Sequence, residues 1–369
     1  MPAQKTVRIM GTHGVPAAYG GFETAAENVG LFLVRQGWRV IMYCQVPGTG
    51  PITEDTWNGM ERVMIPIDVE GWKGTSKYDL ISIRHAMKTK DLVLTFGYNT
   101  GLFQTLLRAR GIPNVVNMDG IEWSRRRWGF MKQAILYVNE RFSAAFGNHL
   151  IADHPVIEGY LYTRAPKRKI TTITYGADPV SPADAPASGL PDGIEPGTYL
   201  NLIARPIPEN SILEIIQGFS RKKRGVKLVV LGNFLDDDEY HQQVLKAASD
   251  EVVFVGAIYE PERVKAIRYH SLGYMHGHTI GGTNPSLVEA LAAGNPVFAH
   301  NNAYNRWVAD QAGVYFETAD ELSAQLDEVL GDKDKLNALH EAALARHALE
   351  FTWERVAGQY EQLLLRFHP

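Results

Sequence analysis

Short apolar runs alternate with helix-period stretches along most of this chain. Val7–Met10, Val40–Tyr43, Asp91–Phe96, Val115–Met118, His149–Ala152 and Lys169–Thr174 read as buried strands, then Tyr199–Ala204, Lys227–Leu231, Val252–Val255, Leu272–Met275 and Pro296–Ala299. Runs that are apolar throughout, rather than alternating, fit strands covered on both faces of a parallel sheet. Between them the apolar period lengthens. Ala25, Ala26, Val29, Phe32 and Leu33 recur at helical spacing, and Gly37 closes that helix. Further helices are predicted to end near Arg110 and to cover about 131–146, 210–220, 261–269, 319–330, 333–350 and 353–367. Residues 46–79, rich in Gly, Pro and Thr, give no clear element. Repeated strand–helix–strand units predict an α/β fold with open parallel sheets.

A chain of 369 residues exceeds one ordinary hydrophobic core. Residues 181–197 have the composition of an interdomain linker, so the reading is an N-terminal domain over 1–180 and a C-terminal domain over 198–350. A net charge of −4 gives no support to nucleic-acid binding. The single cysteine, Cys44, cannot form an intramolecular disulfide and fits a reducing cytoplasm. No apolar run approaches the roughly 18 residues of a spanning helix, and the opening residues lack the apolar core of a signal peptide.

Candidate chemistry gathers at the carboxyl ends of the predicted strands, where open α/β sheets bind ligands. The densest stretch is Gly277–Asn301. There Asn284 is a natural N-cap, Pro285 suits the first helical position and Gly294 can end the helix. Gly281 and Gly282 leave bare backbone at the helix entrance, which favours a phosphate. Glu289 lies one turn in and can accept from a sugar hydroxyl pair. The loop Gly14–Gly21 is longer than a bare βα turn and also suits a ligand. A dinucleotide fold fits poorly: the glycines lack Gly-x-Gly-x-x-Gly spacing, and Cys44-Gln45 stand where a ribose-binding acid is needed. In Glu122–Lys132, cations interleave with Trp123, Trp128, Phe130 and Met131. That is either a membrane-surface patch or the solvated start of a helix whose aromatics enter the core.

In this order the motifs resemble the retaining GT-B glycosyltransferases of family 4. They are most similar to bacterial polysaccharide rhamnosyltransferases with a Gly-Thr-x-Gly-x-Pro-x-x-Tyr-Gly-Gly-Phe-Glu-Thr loop, here Gly11–Thr24. Matching pieces are Asp119–Trp123, Tyr175–Asp178, Ala204–Asn210, Gly281–Ala290 and Phe351–Val356. The resemblance implies two Rossmann-like domains whose sheets face a central cleft, with residues 351–369 returning to pack on the N-terminal domain. It implies that Gly20 and Gly21 lie near the donor diphosphate and that Arg205 clamps it. Gly281, Gly282, Thr283 and Asn284 would hold the same phosphates, Glu289 the ribose, and Gly256 and Tyr259 the base. Asp119 and His13 would face the transferred sugar or the acceptor, with Arg205 the candidate catalytic group beside them. Tyr19, Trp123, Arg125, Arg126 and Arg127 would lie on the acceptor or membrane side.

Two positions depart from the wider family. Its first glutamate of Glu-x7-Glu is replaced by Gly281, and a lysine five residues after the clamp arginine is replaced by Asn210. Both changes occur in the rhamnosyltransferase-like pattern. The implied activity is retaining transfer of L-rhamnose from dTDP-L-rhamnose to a lipid-linked or oligosaccharide acceptor at the inner membrane surface. No cofactor and no metal are expected, since no Asp-x-Asp motif stands in a diphosphate context. Three alternatives remain at this point: a UDP- or GDP-sugar donor, a sugar-nucleotide-binding protein without catalysis, and an NAD-dependent oxidoreductase.

Overall fold

The computed structural model describes residues 4–18, 20–125 and 128–368. It divides into two compact units: Met1–Tyr175 together with Trp353–Pro369, and Gly176–Thr352.

The first unit carries eight strands: β1 (Thr6–Met10), β2 (Arg39–Pro47), β3 (Thr53–Trp57), β4 (Met60–Ile67), β5 (Leu92–Phe96), β6 (Asn114–Asn117), β7 (His149–Ala152) and β8 (Ile170–Thr172). Their order is β3-β4-β2-β1-β5-β6-β7-β8. Every pair is parallel except β3 with β4. Val7, Ile9, Val40, Met42, Leu92 and Leu94 are essentially sealed from solvent, which is why these strands read as unbroken apolar runs.

Residues 46–79 resolve into a hairpin and the start of a helix. Asn58 (φ 46°) and Gly59 (φ 82°) form the two-residue turn between β3 and β4. Asn-Gly is the sequence that such left-handed turns favour, and here it sits within a stretch whose Gly, Pro and Thr content masks the two strands. The helix Gly71–Ala86 was hidden because its buried face mixes Tyr78 and Ile83 with Asp79 and Ser82. The last helix, Trp353–Leu365, belongs to this first unit. It buries Val356, Tyr360 and Leu364 with Phe32 and Leu33 of the helix Gly21–Arg35.

The second unit has six parallel strands: β9 (Tyr199–Ile203), β10 (Lys227–Leu231), β11 (Val252–Phe254), β12 (Tyr274–His276), β13 (Val297–His300) and β14 (Gly313–Phe316). The order β11-β10-β9-β12-β13-β14 reverses direction between β9 and β12. In such sheets the ligand crevice opens at that reversal. Residues 181–197 are part of this unit: Ala185 accepts from His270 Nε2 (2.8 Å) and Gly193 from Lys227 Nζ (2.6 Å).

Backbone contact, not flexibility, fixes one glycine here. A Cβ on Gly277 would stand 2.0 Å from the Asn210 carbonyl oxygen. Gly277→Ala is therefore expected to destabilise the fold by about 1–3 kcal/mol in denaturant unfolding. An unchanged midpoint would show that the β9 and β12 loops are not packed against each other.

Candidate functional site

The reversal between β9 and β12 collects most of the predicted donor residues of the second unit. Arg205 lies just beyond β9, and the Gly277–Asn284 loop follows β12. The helix Pro285–Ala292 begins as the sequence suggests: the Asn284 side chain accepts from Ser286 N at 2.9 Å and Pro285 occupies the first turn. Leu287, Val288, Ala290 and Leu291 anchor the helix in the core. Its first turn and Gly281 and Gly282 remain half-exposed, while Thr283 is buried. A Cβ on Gly281 would meet nothing within 4 Å. The unit's own packing does not demand a glycine there, in contrast to Gly277.

The sequence reading did not find the partner of Glu289. Arg268, on the helix Pro261–Tyr269, is 5% exposed and places Nη2 2.7 Å from Glu289 Oε2. The same nitrogen donates to Ser286 Oγ (2.9 Å), which also receives Tyr274 OH (2.9 Å). Glu289 keeps a side-chain exposure of 38%. One carboxylate oxygen is thus tied inward, and the carboxylate is aimed from a fixed rotamer. Asn210, where the resembled family carries a lysine, is buried and donates Nδ2 to the Arg205 carbonyl at 2.8 Å. It shapes the arginine's loop and does not serve as a phosphate cation. Gly256 and Tyr259 follow β11, the edge strand; Tyr259 is 85% exposed.

In the first unit the sheet reverses between β1 and β5. The loop after β1 is pinned by carboxylates of the helix that follows it. Glu23, 5% exposed, accepts from His13 N (2.9 Å), and Glu27 accepts from Ala17 N (2.6 Å). Arg62 Nη1 donates to the Val15 carbonyl at 3.0 Å. His13 is exposed; Gly20 caps the helix and Gly21 is its first residue. Tyr19, Arg126 and Arg127 lie outside the described residues.

Asp119 follows β6 with φ 55°, a left-handed conformation that costs a non-glycine residue energy. Several bonds hold the loop in it. Asp119 N donates to Asn117 Oδ1 (3.0 Å), and the Tyr98 hydroxyl donates to Gly120 O (3.2 Å) and receives Glu122 N (2.7 Å). Strain that its surroundings over-determine marks functional loops. Trp123 is turned inward: its Nε1 reaches Glu140 Oε2 and Tyr160 OH, both at 2.9 Å. Arg125 pairs with Glu122 at 2.6 Å. Among the described residues of the mixed aromatic and basic stretch, the large apolar side chains that open to solvent are Phe130, 87% exposed, and Met131, 77%.

A second polar spot adjoins the β1–β5 reversal. Asp79 is 8% exposed, and burial pushes its carboxyl up to about 6, partly offset by the Thr100 hydroxyl donating at 2.7 Å. The folded state therefore favours the protonated form. Its contribution is most stabilising below the ordinary carboxyl range near 3.8 and is lost as pH rises through 6. Asp79→Asn is expected to match wild type near pH 4 and to exceed it by about 2–3 kcal/mol at pH 8. Denaturant unfolding at the two pH values checks this; a pH-independent difference would overturn it.

Among the described residues no helix is long and apolar enough to cross a membrane, and no His, Cys, Asp or Glu cluster is arranged to hold a metal ion.

Two family models match the chain. Residues 4–178 match one described as a domain of unknown function (DUF1972), and residues 213–362 match one described as glycosyl transferase-like. No curated protein matches it. Solved structures match over nearly the full length. The sucrose-phosphate synthase of Thermosynechococcus elongatus gives a TM-score of 0.80 at 16% identity, covering 98% of this chain and 99% of that one. Anabaena HepE in complex with UDP and glucose gives 0.73 at 16%, with 98% and 99% covered. Trehalose-6-phosphate synthase OtsA gives 0.76 at 11%, with 98% and 99% covered. The fold is accordingly α/β of the GT-B type, with two parallel-sheet units.

Proposed function

We propose that this chain is a glycosyltransferase that moves a sugar from a nucleoside diphosphate donor onto a polysaccharide precursor with retention at the anomeric carbon. One observation carries the reading. At the reversal of the second sheet, Arg205, the Gly281–Asn284 helix entrance and an Arg268-held Glu289 combine phosphate donors with a fixed hydroxyl acceptor. The open space over Gly281 supports close approach of a diphosphate to bare backbone.

In the proposed step the bond from the sugar's anomeric carbon to the diphosphate oxygen breaks. The acceptor oxygen bonds to that carbon on the same face, and its proton passes to the leaving phosphate. Arg205 and the amides of Gly281 and Gly282 stabilise the charge that develops on the diphosphate. Glu289 binds the nucleotide ribose and Tyr259 offers a ring to the base. Asp119 and His13 serve the transferred sugar or the acceptor. No metal takes part.

The donor we propose is dTDP-L-rhamnose, on the likeness of the Gly11–Thr24 loop to rhamnosyltransferases. A UDP-sugar is the second reading, because HepE was solved with UDP and glucose. A thermal-shift screen of dTDP-, UDP- and GDP-sugars decides. A ligand at 100 times its Kd adds about 2.7 kcal/mol of stability. No shift with any of them would sink the reading. Shifts without turnover would leave a binding protein, and turnover abolished by EDTA and restored by magnesium would overturn the metal-free step.

A lipid-linked acceptor at the inner membrane surface is the finer proposal. Met131, Ile135 and Val138 form an i, i+4, i+7 stripe on the helix Phe130–Phe146, with exposures of 77%, 51% and 49%, and Lys132 stands beside it. Wild type is expected to float with anionic liposomes. A Met131→Ser/Ile135→Ser variant should lose about 10-fold or more in partition, since each buried side chain contributes roughly 1.5–3 kcal/mol. Equal flotation would refute lipid contact at this helix.

A further inference from the structure

The first unit holds a cavity that none of the roles above uses. It lies at the carboxyl ends of β1 and β5, where that sheet reverses, and its volume is about 30 Å³. Gly11, Asp79, Gly97, Asn99, Thr100 and Gln104 line it. Its floor is sealed: Gln104 is 3% and Asp79 8% exposed, whereas Asn99 at the rim is exposed.

Its polar groups are unbalanced. Gln104 Oε1 is buried with no hydrogen-bond partner among the described residues. Asp79 Oδ2 accepts from Thr100. A buried amide oxygen left unmatched costs about 1–3 kcal/mol, so such atoms persist where something else satisfies them. What enters must donate, because the unmatched floor atom is an acceptor. It must also be small. One water needs roughly 10–15 Å³, so the cavity takes about two water-sized groups. A carbon and an oxygen, the hydroxymethyl arm of a hexose, have that size and carry one O–H donor.

We propose that this cavity is a subsite for the hydroxymethyl arm of a sugar, with Gln104 Oε1 and the Asp79 carboxylate accepting from its hydroxyl. The proposal rests on the glycosyl-transfer reading and adds a specificity element to it: acceptors ending in a 6-deoxy sugar lose the contact. Gln104 and Asp79 are binding residues in this role and take no part in bond making.

Saturation-transfer NMR on the full chain tests it. The probes are methyl α-D-glucopyranoside and methyl α-D-galactopyranoside against their 6-deoxy analogues, with excess UDP or dTDP present to occupy the nucleotide site. Wild type is expected to transfer saturation most strongly to the C6 protons of at least one hexoside. The corresponding 6-deoxy analogue should bind at least about 5-fold more weakly. Gln104→Met, similar in volume but without the acceptor, should abolish the C6 preference. Thr75→Leu, which narrows the cavity from its half-exposed rim, does the same if the first variant fails to fold. Absence of signal from both hexosides, or an unchanged C6 pattern in a folded variant, would mean that the cavity holds water alone. That failure is separable from failure of the transferase reading. In the first case nucleotide sugars still raise the melting temperature; in the second they do not.

Discussion

Replacing Arg205 by alanine is expected to lower kcat/KM for the nucleotide sugar by about 100- to 1,000-fold, most of it in kcat. The leaving diphosphate gains charge in the transition state, and a preorganised guanidinium meets that charge without reorganising. Arg205 is exposed and stands past the end of β9, so its removal takes nothing from the core. The melting temperature should therefore stay within about 1–2 °C while turnover collapses. Arg205→Lys should recover only part of the loss, since an ammonium cannot reproduce the planar fork. Steady-state kinetics checks both variants. Wild-type kcat in a folded Arg205→Ala protein would remove this residue from the chemistry.

Glu289→Gln is expected to raise the donor KM by roughly 10- to 100-fold with kcat changed only a few-fold, because a charged hydrogen bond contributes about 1.5–3 kcal/mol and acts equally in ground and transition states. The structure adds a second consequence. Arg268 is 5% exposed and its Nε has no partner among the described residues, so loss of the carboxylate leaves a buried cation poorly matched. Removing one member of a fully buried pair costs about 3–5 kcal/mol, and exposed pairs contribute about 0–1. With one partner buried and the other 38% exposed, we expect a loss of about 1–3 kcal/mol. Arg268→Met separates the effects: it should raise the donor KM as well, through an unfixed Glu289. An unaltered KM in that variant would show that Glu289 needs no positioning.

Much of the proposed donor site was legible locally. Asn284 as cap, Pro285 in the first turn and Glu289 one turn later depend on contacts within a few residues, and the structure forms them as read. Other features had no local signal. Arg268 sits 21 positions before Glu289 in a different helix, so nothing in the spacing links them. Asn210 stands where the resembled family has a cation, and its hydrogen bond to Arg205 O is one that only the folded loop creates. Trp123 and Arg125 stood in a stretch that read either as a membrane-surface patch or as a helix start with aromatics entering the core, and the fold binds both inward through Glu140 and Glu122. Glu23 and Glu27 clamp the loop that precedes their helix, contacts for which the helical period carries no signal.

The first unit shows the same division. Apolar runs located most strands, because a strand buried on both faces must be apolar throughout. The helix Gly71–Ala86 escaped, because Asp79 and Ser82 on its buried face break the apolar period. That break is the feature which places a carboxylate in the cavity at the β1–β5 reversal.

By itself, then, the sequence determined most of the elements, their α/β alternation and the capped helix entrance at Gly281–Pro285, all set by periodicity and hydrogen bonds a few residues long. Only the tertiary structure decided which strands are neighbours, and so which loops share a reversal point. It also decided which buried charges are paired. Those outcomes depend on crossovers that bring together residues tens of positions apart, and spacing along the chain carries no record of them.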